Sequence, residues 1–215
     1  MSLKSKPTIH QFKIELLDTE PTVWRQVYVP STFDMSDLHG ALVDAMGWED
    51  YHFHVFKVLN LKTKKTEFIG RPIEHLQKGP VDGQNVPLTN YFSKPGHTAE
   101  YWYDFGDRWE HRVMLQKVLP AEDGISYPVC INGRMACPPE DCGGTDGYNK
   151  IVQTLKNKSH PEYASTVDWL KNSHNRTDFD FEIFRPGNVR FRPKEQRTYT
   201  FNNPSEANFF DCIQM

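Results

Sequence analysis

Between Tyr101 and His111 the chain reads Tyr-Trp-Tyr-Asp-Phe-Gly-Asp-Arg-Trp-Glu-His, and the side chains there that could do chemistry are Asp104, Asp107 and His111. If Gly106-Asp107 forms a two-residue hairpin turn, Asp104 stands opposite Trp109 and Trp102 opposite His111. Asp104 and His111 are then diagonal neighbours on one face, about 7 to 8 Å apart. A carboxylate so placed orients or charges an imidazole, or the two converge on a shared cation. A three-residue turn removes the alignment. The alternative is structural, with Asp104 and Asp107 bonding the turn's own amides and His111 packing beside Trp109. The Asp-Phe-Gly is shared with protein kinases, but no glycine-rich phosphate loop, strand lysine or His-Arg-Asp loop accompanies it, which excludes that chemistry.

His52 and His54 lie two apart on a predicted strand, so both side chains leave one face with about 6.6 Å between their Cα atoms. With Asp104 or Asp107 they make a two-histidine, one-carboxylate set, provided the two strands adjoin. Histidines on an amphipathic strand surface are the alternative. A third stretch runs Cys137-Pro138-Pro139-Glu140-Asp141-Cys142-Gly143-Gly144-Thr145-Asp146-Gly147-Tyr148. The Cys137 and Cys142 spacing is wider than a zinc knuckle, and no second pair follows at zinc-ribbon distance. Glycines ahead of a helix could cradle a phosphate, yet the lysine and hydroxyl of a P-loop are missing. Glu140, Asp141 and Asp146 would also repel a bare anion, so a divalent metal or a cationic partner fits better. The alternative is structural, with Asp146 capping the helix and the glycines making a tight turn.

Near the C-terminus, Arg190, Arg192, Lys194 and Arg197 are interleaved with Phe191, Tyr199 and Phe201, a pattern able to hold a nucleic-acid backbone and stack on bases. A basic tail folded over the acidic body of its own chain has the same composition. The net charge of -3 and pI near 6.3 exclude a broad positive field, so any nucleic-acid contact is local.

These residues need elements to position them. Phe12, Ile14 and Leu16 alternate with Lys13 and Glu15, and after a turn at Glu20-Pro21 a second alternating run extends from Val23 to Val29, predicting a hairpin-like pair of strands. Ser31 to Asp37 offers capping side chains; Leu38, Ala41, Leu42, Ala45 and Met46 then repeat at helical spacing until Gly47 supplies the stop. A strand is expected from Tyr51 to Leu59, then a shorter apolar run at Phe68-Ile69. Gly70 to Gly96 reads as a loop with short helical pieces, punctuated by Pro72, Pro80, Pro87 and Pro95. Thr98 to Phe105 and Trp109 to Leu119 predict a second hairpin. Tyr148, Ile151, Val152 and Leu155 mark one helix face, and Tyr163, Val167 and Leu170 another.

The expected class is α+β: a mixed or mostly antiparallel sheet with helices packed on it and a helical C-terminal part. Residues 1–185 read as one domain and 186–215 as an appendage or tail. Of the 215 residues, 38% are hydrophobic and 13% aromatic, which excludes disorder. No apolar run approaches the length of a membrane span, and Lys4, Lys6 and Lys13 break any signal-peptide core, so a cytoplasmic location is expected. Cys130, Cys137, Cys142 and Cys212 would then stay reduced.

Three blocks in this order carry a resemblance: Leu38-His39 with Ala45-Met46-Gly47-Trp48 and His52-Phe53-His54; Tyr103 to His111; and Pro138 to Gly144 with Gly147-Tyr148. Together they resemble the plasmid pRiA4b ORF-3-like family, also labelled insertion-element passenger or TnpR-like proteins, over about residues 8 to 185. The resemblance implies an α+β fold, bacterial or archaeal cytoplasm, an occasional link to mobile genetic elements, and no established activity. Recombination of the serine type is excluded on the residues: none of Ser2, Ser5 and Ser31 has the arginine company that neutralises a scissile phosphate.

The expected function is a non-catalytic binding module for a protein or small ligand, whose recognition surface joins the Glu140 to Asp146 loop to the Asp104 to His111 hairpin. The first alternative is a divalent-metal-dependent hydrolase with Asp104, Asp107, His111, Glu140 and Asp141 as ligands and an activated water. The second is a nucleic-acid-binding accessory protein acting through Arg190, Arg192, Lys194 and Arg197. All but the last require the two motif blocks to meet.

Overall fold

The structure is a computed structural model and describes residues 7–73, 79–174 and 179–197. Strands β1 (Thr8–Leu16) and β2 (Trp24–Pro30) pair antiparallel, with Phe12 opposite Val27 and Ile14 opposite Arg25. Their alternation follows from burial: Phe12, Ile14, Leu16, Val27 and Val29 all face the core. Helix α1 (Met35–Met46) starts from a reciprocal capping box between Asp34 and Asp37 and ends at Gly47, whose φ of 95° is the left-handed C-cap conformation glycine adopts freely. Ten of its residues are buried, including His39, Gly40 and Asp44; Arg197 packs over Gly40 and, with Arg192, pairs with Asp44.

The remaining elements are β3 (His54–Leu59), β4 (Thr66–Gly70), β5 (Val81–Asp82), β6 (Thr98–Tyr103), β7 (Trp109–Pro120), β8 (Val129–Arg134), α2 (Gly144–Lys156) and α3 (Tyr163–His174). The strands form one eight-stranded sheet in the order β5-β4-β3-β6-β7-β1-β2-β8. Every neighbouring pair is antiparallel except β4 with β5. The core fills the α1 side of the sheet with Phe12, Val27, Leu42, Phe56, Tyr103 and Trp109 among its members, and a smaller cluster of Val55, Ile73, Trp102 and Phe105 lies apart from it.

The observed elements correct the sequence reading in four places. The β6–β7 hairpin pairs Tyr103 with Trp109 and Tyr101 with His111, so residues 104–108 form its loop and the two-residue turn does not exist. Asp104 and Arg108 hold left-handed φ values of 57° and 58° there, which leaves Asp104 beyond the ladder and out of register with His111. β3 begins at His54, so His52 precedes the strand and the two histidines are not strand neighbours on one face. β8 was not expected, since its Val-Cys-Ile-Asn-Gly-Arg carries little alternation and is recruited as an edge by β2. Finally, the C-terminal part is helical only through α3; within 179–197 there are just two single 3-10 turns, at Pro186–Asn188 and Lys194–Gln196. Prolines and glycine there deny a longer helix.

Candidate metal centre

The centre is built where three chain segments end together. β6 stops at Tyr103, and the Asp104 amide donates to the Phe53 carbonyl at 2.9 Å, which fixes the segment leading into β3 beside the hairpin loop. Asp104 Oδ1 accepts the amides of Gly106 at 2.9 Å and Asp107 at 3.1 Å, closing the loop as an Asx turn. Its other oxygen, Oδ2, points at His52 and lies 3.4 Å from Nε2. The turn-holding role and a site role for Asp104 are thus compatible, because each uses a different oxygen.

The third segment is the proline-glycine stretch. Trp48 Nε1 donates to the Pro138 carbonyl at 3.1 Å, and the Gly143 amide donates to Asp107 Oδ2 at 3.1 Å. Gly144 has φ of 68°, and a Cβ there would come within 2.4 Å of the Asp107 carbonyl oxygen, so only glycine lets the loops approach this closely. The approach delivers Glu140. Its Oε1 accepts the Glu49 amide at 2.8 Å and the Tyr103 hydroxyl at 3.1 Å. Its Oε2 is buried, has no hydrogen-bond partner among the described residues, and lies 3.7 Å from His52 Nε2.

His52, Asp104 and Glu140 are all buried, and their ligand atoms lie within 4.8 Å of one another. A cation at about 2.1 Å from nitrogen and oxygen donors needs donor separations of about 3 to 4 Å, within reach of small side-chain rotations. Asp141 stands at the mouth, largely exposed, with Oδ1 3.6 Å from His52 Nε2 and Oδ2 accepting from the Tyr51 hydroxyl at 2.8 Å.

The electrostatics are those of surplus buried acid. Desolvation pushes the Glu140 carboxyl up to about 7, with Asp104 adding to the rise, while the Glu49 amide and His52 pull the other way. Tyr51 and Tyr103 are raised above the usual phenol range, chiefly by burial and then by Glu140. Three carboxylates around one imidazole leave an excess of negative charge that a divalent cation would neutralise.

The other sequence candidates are placed elsewhere or differently. His54 stacks on His39 with 3.3 Å between ring centroids, and burial holds its basicity well down. His111 is fully enclosed; its Nδ1 is 3.2 Å from the Tyr101 carbonyl oxygen, and desolvation lowers its pKa to about 4. Neither belongs to the cluster. Asp107 braces the Gly143 amide. Asp146 is in the first turn of α2 but does not cap it, since the N-cap is Gly143 with no side-chain hydrogen bond. Arg192 Nε pairs with Asp44 Oδ1 at 2.6 Å, Arg197 bridges Asp44 and Asp50, and Lys194 meets Asp34 and Asp37 at 3.0 Å each. Arg190 is exposed and donates to the Gly187 and Val189 carbonyls. Sequence reasoning did not select Tyr51, Tyr103 or the Glu49 amide. Tyr103 was legible only as a strand aromatic, and a backbone amide carries no sequence signal.

The family model of the plasmid pRiA4b ORF-3-like proteins matches residues 8–186. The chain belongs to this family. The matched span contains the whole of the pRiA4b ORF-3-like protein's His52, Asp104 and Glu140 cluster, whereas Arg190, Arg192, Lys194 and Arg197 lie beyond it. The chain is 34% identical over 167 residues to uncharacterized protein y4hQ of Sinorhizobium fredii, covering 77% of this chain and 82% of that relative. It is also similar to a crystal structure of a protein of unknown function from Methanosarcina mazei Go1. That likeness has 38% identity and a TM-score of 0.77 and covers 87% of this chain and all of the other. No helix among the described residues is long and apolar enough to cross a membrane.

Proposed function

We propose that this protein binds a divalent cation through His52, Asp104 and Glu140, with Asp141 closing the mouth of the site. The observation that carries this reading is Glu140. A buried carboxylate oxygen, without a hydrogen-bond partner among the described residues, is aimed at an imidazole and next to a second buried carboxylate. Stranding such an oxygen costs about 1 to 3 kcal/mol or more, which a cation would offset. One nitrogen and two hard oxygens favour zinc, manganese or iron over calcium, which takes oxygen donors in larger number.

The test is elemental analysis of protein purified without chelator, followed by titration of the EDTA-treated protein with zinc and manganese. About one ion per chain is expected, with affinity reduced at least about a hundredfold in His52→Ala. Absence of bound metal together with no titratable binding at micromolar concentrations would dismiss the proposal.

A hydrolytic use of the cation is the second reading, favoured by a specific feature: three protein ligands leave coordination positions for water and substrate, and Asp141 stands beside them with one oxygen on Tyr51. It predicts metal-dependent cleavage of an activated phosphate ester that Asp141→Asn slows by at least about tenfold without changing metal content. Unchanged turnover in that variant, or none in the loaded wild type, leaves the cation-binding module.

A further inference from the structure

Away from the metal centre, a cavity of about 740 Å³ lies between the C-terminal end of α1, the Ala136-Cys137 segment and the chain from Phe179 to Arg192. Its most unusual wall is Arg25. Arg25 is 1% exposed, and among the described residues its hydrogen bonds run to backbone carbonyls: Nε to Ala45 at 3.0 Å, and Nη1 to Trp24 at 2.8 Å and Arg134 at 3.0 Å. The Phe184 ring covers its face at 3.6 Å. Gly133 makes room for that ring, since a Cβ there would meet Phe184 at 2.4 Å.

No carboxylate pairs with Arg25 among the described residues. Asp44 lines the same cavity, but its two oxygens are taken by Arg192 and Arg197. Asp180 is exposed and accepts the Glu182 amide. Two more cations, Arg185 and Arg190, are exposed at the rim and have no acidic partner among the described residues. An arginine cannot discharge by losing its proton, and a buried charge without a counter-ion is strongly unfavourable. Phe179, Ile183 and Val189 add apolar surface to the same cavity.

We propose that this cavity is a binding site for a small organic carboxylate, its carboxylate facing the arginines and its apolar body lying along Phe184, Ile183 and Val189. The volume falls in the range of small-molecule sites, and a carboxylate there would meet Arg25 through Nη2, the guanidinium nitrogen not committed to a backbone carbonyl among the described residues, with the charge of Arg190 at the rim. The site is separate from the metal centre and does not depend on it.

The test is calorimetric titration of the EDTA-treated 215-residue chain with 2-naphthoate, with the neutral 2-naphthamide of the same shape, and with inorganic phosphate. Naphthoate should bind at least about tenfold more tightly than naphthamide and than phosphate. Arg25→Gln should abolish the preference for the acid over the amide. Should Arg25→Gln lose its fold by circular dichroism, Arg190→Gln and Phe184→Leu serve instead: the first should weaken naphthoate about threefold or more and leave naphthamide unchanged, the second should weaken both. Equal binding of acid and amide, stronger binding of phosphate than of naphthoate, or no binding at millimolar concentration overturns the proposal.

Discussion

Glu140→Gln provides a quantitative test of the buried acid. In the unfolded chain this carboxyl titrates near 4.5, whereas burial raises it to about 7 in the fold. Between those values the folded protein still holds the proton and the unfolded chain has released it. Stability therefore falls as pH rises through that window and levels off above it. About 2.5 pH units at about 1.4 kcal/mol each gives about 3.5 kcal/mol as an upper figure, which water entry and the nearby His52 soften to about 3 kcal/mol. Glutamine resembles the protonated acid, keeps an oxygen for the Glu49 amide and the Tyr103 hydroxyl, and does not titrate. Urea unfolding of metal-free wild type and variant at pH 4 and pH 8 isolates the effect, since other titrating groups cancel in the difference. The variant should gain about 3 kcal/mol on the wild type between the two pH values. Saturating cation at pH 8 should then stabilise the wild type by about 2.7 kcal/mol at a hundred times its dissociation constant, and the variant far less. A wild-type-to-variant difference that moves by less than about 0.5 kcal/mol would refute the burial argument. Equal stabilisation of both by cation would refute Glu140 as a ligand.

Gly144→Ala forces a side chain against the Asp107 carbonyl at a positive φ, and should cost about 2 kcal/mol or more and weaken cation binding. Gly124→Ala, also at positive φ but with open space around it, should cost about 1 kcal/mol in thermal melts and leave the cation alone. Asp44→Asn should lower stability by about 3 kcal/mol, because two arginines lose a buried partner, one of them in the Arg197 contact packed over Gly40; an unchanged melting curve would mean the 185–197 segment does not rest on α1. His111, held near 4 against an ordinary 6.5, has the opposite pH sign to Glu140. Below 6.5 the unfolded chain takes up a proton that the fold refuses, so stability is lost as pH falls from 6.5 toward 4, by about 3 kcal/mol, and His111→Phe should flatten that limb.

The strands β1 and β2, the helix α1 and the β6–β7 hairpin were readable because period-2 and period-3.6 burial leave a repeating mark in one stretch of chain, with Asp34, Asp37 and Gly47 fixing the helix ends locally. β8 left no such mark, being an edge strand whose partner supplies the reason to extend. The hairpin loop differs from the two-residue turn that Gly106-Asp107 suggests, because Gly-Asp is good turn chemistry in isolation. Asp104 instead prefers a left-handed backbone that lets one carboxylate oxygen bind two amides, which widens the loop to residues 104–108.

The sequence by itself determined the family, the α+β class and the residue types His52, Asp104, Glu140 and Asp141 as surplus acid with imidazole. It held no information on which of them meet. That was decided by the close approach of Gly144 to the Asp107 carbonyl, by the Asp104 amide reaching Phe53, and by the Glu49 amide and Tyr103 hydroxyl turning one oxygen of Glu140 aside and leaving the other for His52. These are backbone and long-range contacts. They have no local period to read, and they place His111 in the core and Glu140 at the site, though both were equally plausible as ligands in the linear chain.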